Sequence, residues 1–321
     1  MTRSKKVLVT GAGGFIGHHL VKFLKSKDYW VRGVDIKKPE FEETVADEFL
    51  ILDLREKKNA LTATNDMEYV YNLASNMGGI GFIETVRAAL MRDNILIDTH
   101  MLEASFRNKI KRFFYPSSAI VYPNYKKKFL KNGFKEGDVY PALPDNEYGW
   151  EKLFTERLAD SYFADYGLET RVARFHNVYG PLGTYEGGRE KSPAAICRKI
   201  ALAEDGDEIE VWGDGKQMRS YCYIDDCIKG VYKLMNSDIH EPINIGSNHL
   251  VSIDELIDIV AKIAGKKIKK RHDISKPQGA RIRNSDNTKI RQLLKWEPSI
   301  SIEEGFGKTY SWIKEQIDKN R

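Results

Sequence analysis

The sequence predicts a doubly wound α/β fold, a parallel sheet covered by helices on both faces, with a smaller α/β domain after it. Three observations carry this. Short, almost wholly apolar runs alternate with helical patterns through the first half, as strands buried on both faces do. A glycine-rich turn joins the first such run to the first helical pattern. The alternation is lost after Arg174, where turns such as Gly180-Pro181 and Gly187-Gly188 break the chain into shorter pieces.

The elements follow in order. Residues 6–10 form a buried strand. Phe15, Ile16, Leu20, Phe23 and Leu24 recur at helical spacing and predict a helix over 15–26. Strands are expected at 30–35, 49–52 and 69–73, and a long helix over 83–107 precedes a strand at 112–115. A second long helix, 148–166, leads into a strand at 169–174. Beyond it, strands are expected at 209–212 and 242–245, and helices at 193–203, 224–236, 252–264 and 302–319. Ser252 and Glu255 have the spacing of a capping box. The expected units are 1–174, with part of 219–247 returning to it, and a ligand-closing unit of 177–218 and 248–321.

The 321 residues are 41% hydrophobic and 30% charged, a balance that buries a core and excludes intrinsic disorder. Lys and Arg number 51 against 46 Asp and Glu, a net charge of +5. The densest basic run, Lys266, Lys267, Lys269, Lys270 and Arg271, has no interleaved aromatic. It reads as a solvated strand or helix end and not as a nucleic-acid surface. Cys197, Cys222 and Cys227 are too few and wrongly spaced for a disulfide framework or a structural metal site. No apolar run approaches the ~18 residues of a membrane span, and no signal-type segment precedes Val7. The expectation is a cytoplasmic protein with neither nucleic-acid nor membrane partners.

Gly11, Gly14 and Gly17 follow a G-x-x-G-x-x-G spacing between the first strand and the first helix. Such a turn lets the backbone approach a pyrophosphate, and the N–H groups of Phe15, Ile16 and Gly17 open a helix whose positive end faces it. Asp35, at the end of the second strand, is placed to accept hydrogen bonds from ribose hydroxyls and to repel a 2′-phosphate. The pattern predicts a Rossmann-type site for NAD over NADP, with Lys37 and Lys38 as the only dissenting charges nearby. Asp53 follows the third strand, either to meet the adenine or to cap a helix.

Tyr148 and Lys152 stand four apart at the start of a helical pattern, so the ammonium lies beside the phenol. A nearby cation favours the phenolate and makes the phenol a proton acceptor. Ser118 closes the fifth strand, at the sheet edge where doubly wound folds bind ligands.

At these residues the chain resembles the extended short-chain dehydrogenase/reductases that act on nucleotide sugars. Further segments resemble the GDP-mannose 3,5-epimerase family over nearly the whole chain: 77–82 (Met-Gly-Gly-Ile-Gly-Phe), 174–181, 187–195, 212–215 and 283–287. The resemblance implies reversible oxidation at C4 of a GDP-hexose with NAD, Tyr148 taking the hydroxyl proton. It also implies proton exchange at C3 and C5, in which Lys191 is one carrier. It implies sugar-nucleotide contacts from Gly78, Gly79, Ser118, Asn177, Lys199, Gln217, Arg219 and Arg281. For the two arginines a structural salt bridge is the alternative. Paired long helices imply a homodimer.

The pattern breaks at one position. The family's second proton carrier is a cysteine two residues after the strand-end serine, and here that residue is Ile120. The cysteines present are expected to be inert core residues. Ala119 and Ile120 also lack the acidic pair of related 4,6-dehydratases. Three readings follow: an epimerase working with Lys191 and some other group, a GDP-sugar 4-epimerase or 4-oxidoreductase, or a non-catalytic binding protein. The intact Ser118, Tyr148 and Lys152 speak against the last.

Overall fold

The computed structural model describes residues 4–123, 132–276 and 279–320. Its centre is a seven-stranded sheet. The strands are β1 (Lys6–Thr10), β2 (Trp30–Asp35), β3 (Glu48–Ile51), β4 (Tyr69–Asn72), β5 (Arg112–Ser118) and β6 (Thr170–Phe175), with Ile243–Ile245 as the seventh. Side by side they run Ile243–Ile245, β6, β5, β4, β1, β2, β3, and every pairing is parallel. The winding therefore reverses between β1 and β4, and a crevice opens there at the carboxyl ends of the strands. Val7, Leu8, Val9, Phe113 and Phe114 are fully buried, which is why these strands read as unbroken apolar runs.

Among the described residues, the α-helices of this half are α1 (Phe15–Lys25), α2 (Lys57–Thr64), α3 (Ile80–Thr85), α4 (Arg87–Arg107) and α5 (Glu147–Tyr166). Helix α4 packs between α2 and α5, while α1 packs with Ile224–Met235. The segment from Ile224 to Ile245 thus comes back against the first half.

Two expectations change. The helix expected over 83–107 is broken at Val86 (φ −124°, ψ 33°), where α3 ends and α4 begins. Thr85 contributes to the break, its hydroxyl bonding back to the Gly81 and Phe82 carbonyls. Helix α2 has no counterpart in the sequence reading, because only Ala60, Ala63 and Thr64 form its buried face.

The remaining chain forms short sheets: Val178–Tyr179 with Cys222–Tyr223, Met218–Ser220 between Leu250–Ser252 and Ile282–Arg283, and Glu208–Trp212 with Lys269–Asp273. The basic run lies partly on that last strand, with Arg271 paired to Glu208. Helices Ser192–Leu202, Ile253–Ala264 and Ile302–Lys319 pack together, and the Ser252–Glu255 capping box is formed. One apolar cluster runs from Val7 to Ile317 and joins the two halves. Among the described residues, no helix is long and apolar enough to cross a membrane.

Candidate active site

A cleft of about 1310 Å³ opens at the switch point and is lined by both halves of the chain. A pocket for one drug-sized ligand occupies roughly 300–1,000 Å³, so there is room here for a dinucleotide and a second ligand together.

The turn after β1 needs its glycines. Gly11 is left-handed (φ +66°), and a Cβ on Gly17 would lie 2.0 Å from the Gly11 carbonyl oxygen. Helix α1 starts without any side-chain cap, so its first N–H groups, on Phe15, Ile16 and Gly17, are left for a ligand at the cleft wall they line. Asp35 accepts from the Gly13 amide at 2.9 Å and the Lys37 amide at 3.2 Å. Burial still pushes its carboxyl above the usual range. Gly13 escaped the sequence reading, yet a Cβ there would lie 2.2 Å from the Lys37 carbonyl oxygen. The bare cradle, the free helix end and the carboxylate at β2 fit a dinucleotide with an unphosphorylated ribose.

Asp53 also lines the cleft but caps no helix; the cap position of α2 belongs to Glu56. Asp53 instead accepts from the Arg55 amide at 2.9 Å and pairs with the Arg55 guanidinium at 2.6 Å.

Ser118, Tyr148 and Lys152 all line the cleft, and both Ser118 and Lys152 act directly on the Tyr148 phenol. Asn146 caps α5 by accepting from the Gly149 amide at 3.1 Å, which fixes the turn that carries Tyr148. The Lys152 ammonium lies 5.7 Å from the Tyr148 ring centre and 4.8 Å from that of Tyr115. Lys152 and Ser118 pull the Tyr148 phenol down as expected, but burial outweighs them and leaves it above its ordinary value.

Behind this pair lies a buried polar network with no signature in the sequence. Glu151 is fully buried, 3.8 Å from the Lys152 ammonium, and accepts from Asn94 Nδ2 at 2.8 Å. Asp98 accepts from Thr155 and Asn72, and Asn72 accepts from Thr10. Burial pushes the Glu151 carboxyl up to about 7, against the pull of Lys152. For Lys152, burial acts to lower the pKa, but Glu151 and Asp98 overcome it and hold the ammonium charged.

The second half contributes Asn177, Lys191, Lys199, Gln217 and Arg219 to the lining of the same cleft. Asn177 holds the Ser220 carbonyl at 2.8 Å. Lys191 occupies the cap position of helix Ser192–Leu202 and is reachable by water. The surrounding cleft wall, and then the nearby Arg283, pull its pKa below the ordinary lysine value. Lys199 donates to the Glu210 carbonyl at 2.7 Å. Gln217 is buried, its Nε2 on the Trp212 carbonyl and its Oε1 without a hydrogen-bond partner among the described residues.

Arg281 is not on the cleft. It lies exposed, paired with Asp214 at 2.7 Å. Arg283, two residues on, is the arginine that lines the wall. It sits in register beside Arg219 on the neighbouring strand. Its Nε is buried without a partner among the described residues, and Asp145 stands 3.4 Å from Nη2. Burial brings both guanidinium groups down to about 10. Two half-buried guanidinium groups side by side, with Asp145 beside that of Arg283, suit an anion such as a diphosphate.

Gly78 and Gly79 line the cleft, and so does Ile120, buried in the turn after β5. The three cysteines are buried and none lines the cleft.

The model of the NAD dependent epimerase/dehydratase family matches residues 7–246. The chain is 47% identical to GDP-mannose 3,5-epimerase of Arabidopsis thaliana, over 98% of its own length and 84% of the relative. It is 46% identical to GDP-mannose 3,5-epimerase 1 of Oryza sativa subsp. indica, over 98% and 83%. Among solved structures, UDP-glucuronic acid 4-epimerase from Bacillus cereus, in complex with UDP-glucuronic acid and NAD, superposes with a TM-score of 0.83. That pair is 27% identical and covers 97% of this chain and 99% of the other. The chain is therefore a member of the NAD-dependent epimerase/dehydratase family, an enzyme of its nucleotide-sugar epimerase type with NAD as cofactor.

Proposed function

We propose that this protein acts on GDP-mannose as a 3,5-epimerase-type enzyme whose proton exchange is lopsided. The observation that carries the reading is one cleft lined by Ser118, Tyr148 and Lys152 from the first half of the chain and by Lys191 from the second. Near whole-length identity to GDP-mannose 3,5-epimerases supports it.

Gly11, Gly14, Gly17 and the start of α1 hold the pyrophosphate, and Asp35 the adenosine ribose. Bound NAD supplies a reversible hydride acceptor for a sugar carbinol carbon. Tyr148 takes the proton of that hydroxyl, with Ser118 and the Lys152 ammonium stabilising the phenolate. Arg219 and Arg283 hold the diphosphate. A carbonyl at C4 makes the C–H bonds at C3 and C5 acidic. Lys191, with its lowered pKa, carries a proton at Nζ to and from one face of the ring.

Ile120 favours a second reading, a GDP-sugar 4-epimerase or 4-oxidoreductase, because its side chain holds no exchangeable proton. Incubation with GDP-mannose and separation of the products tests the choice. Sugars inverted at C5 or C3 support the first reading; a C4 epimer or a released 4-keto sugar as sole product supports the second.

A homodimer is part of the proposal. Leu96 and Phe106 on α4, and Trp150, Phe154 and Tyr166 on α5, are exposed apolar side chains on two helices that pack together. Covering them with the same helices of a second copy removes this surface from water. Trp150→Glu with Phe154→Glu is expected to give the monomer mass in light scattering, and an unchanged mass contradicts the interface.

A further inference from the structure

The loop that delivers Lys191 begins with Gly187 and Gly188, both left-handed (φ +84° and +85°) and with open space where a Cβ would stand. Within the loop the Gly188 amide donates to Glu190 Oε2 at 2.7 Å. What ties the loop to the opposite segment comes next. The Arg189 carbonyl accepts from the Gly79 amide at 2.9 Å. Gly79 leaves room for this crossing, since a Cβ there would lie 2.3 Å from the Glu190 carbonyl oxygen. The Arg189 guanidinium lies 3.9 Å from the centre of the Phe82 ring, and its Nη1 is 3.4 Å from both Asn76 Oδ1 and the Met77 carbonyl.

The stretch it grips is itself held. The Asn76 amide donates to Asn94 Oδ1 at 2.7 Å. Asn94 Nδ2 donates to Glu151, the carboxylate next to the Lys152 ammonium. A continuous line of contacts thus runs from Lys152, through Glu151, Asn94 and Asn76, to Arg189, two residues from Lys191.

We propose that Arg189 is a positioning residue for proton exchange. By stacking on Phe82 and bonding the Asn76–Met77 edge, it sets where Lys191 stands relative to the Tyr148–Lys152 pair. This rests on the reading of Lys191 as a proton carrier. A carrier must meet one carbon of a sugar whose place is set from the other side of the cleft, and a shift of about 1 Å costs on the order of 10²-fold. Arginine is well suited to this placement, because its planar guanidinium stacks on a ring and still offers N–H groups at its edge.

The test compares wild type, Arg189→Ala, Arg189→Lys and Lys191→Ala, with GDP-mannose in D₂O at saturating concentration. Deuterium uptake at C3 and C5 is followed by NMR, and reduced cofactor in a single turnover by absorbance. Arg189→Ala is expected to slow deuterium uptake roughly 10- to 100-fold, with KM and the reduced-cofactor rate within about twofold of wild type. Arg189→Lys is expected to restore part of the loss. Amide hydrogen exchange over residues 187–192 is expected to quicken in Arg189→Ala. If Lys191→Ala stops uptake while Arg189→Ala leaves it within about twofold, the positioning role is wrong and the Lys191 reading stands. If Lys191→Ala itself leaves uptake intact, the Lys191 reading is the one that fails. If Arg189→Ala raises KM and slows both processes equally, Arg189 binds substrate instead, and the proposal is overturned.

Discussion

Ser118 ends β5 with a hydroxyl on the cleft, and two residues later Ile120 offers the same cleft only carbon. That contrast runs through the whole site. On the proposed cofactor side stand a glycine cradle, Asp35, Ser118, Tyr148, and Lys152 held charged by buried carboxylates, the groups the proposed hydride chemistry asks for. On the sugar's other flank, Lys191 has a lowered pKa and an anchored loop, but Ile120 gives it no proton-bearing partner in the turn after β5. Inverting a carbon needs a proton removed from one face and delivered to the other. Oxidising and re-reducing C4 does not. In the proposed scheme Tyr148 serves both the redox and the proton-exchange parts, whereas Lys191 and Ile120 bear on exchange alone, so substitutions at those two positions are expected to separate the parts.

The largest effect is expected where the two parts share a residue. Tyr148→Phe removes the proposed proton acceptor for both. C4 oxidation and C3/C5 exchange are expected to fall together by roughly 10²–10⁴-fold, read from single-turnover absorbance and deuterium uptake. A variant that still exchanged protons would break the link between them. Lys191→Ala should split the pair: exchange falls up to a similar factor while the reduced-cofactor rate stays within a few fold. Ile120→Cys probes the same divide in the other direction. It supplies the missing group and is expected to raise exchange by about tenfold or more, measured under the same conditions. No gain would mean that the partner for Lys191 lies elsewhere.

The smallest expected effect concerns the buried network. The Glu151 carboxylate disfavours the Tyr148 phenolate, while Lys152 and Ser118 favour it. Replacing it by a neutral amide in Glu151→Gln removes an opposing charge, so the phenol ionises at lower pH. The alkaline rise of the C4 oxidation rate is expected to move to lower pH. An inflection near 7, where Glu151 itself titrates, is expected to disappear. A pH profile superimposable on wild type would show that Glu151 acts on structure alone.

What could be read from the chain, and what could not, follows a physical line. The Gly11–Gly17 turn was legible because close backbone approach leaves glycine no substitute there. Tyr148 and Lys152 were legible because helical spacing alone brings them to one face. Glu151 beside Asn94, and Asn94 beside Asn76, join α5, α4 and a cleft loop, and no local pattern announces contacts across such distances in the chain. Arg281 and Arg283 show the same limit at close range. Arg281 precedes the strand Ile282–Arg283 and turns out to Asp214, whereas Arg283 has joined the register beside Arg219. Only the pairing decides which of the two faces the cleft. Val86 broke a helix that apolar spacing alone would have continued, because Thr85 bonds back into the preceding turn.

In the proposed scheme hydride chemistry is complete and proton exchange one-sided. Its most direct test is the position of deuterium in GDP-hexose recovered after wild-type turnover in D₂O. Rapid label is expected at one of C3 and C5 only, with the other centre slower by roughly 10²–10⁴-fold and quickened by Ile120→Cys. Equal, rapid label at both centres, unchanged by Ile120→Cys, would contradict it.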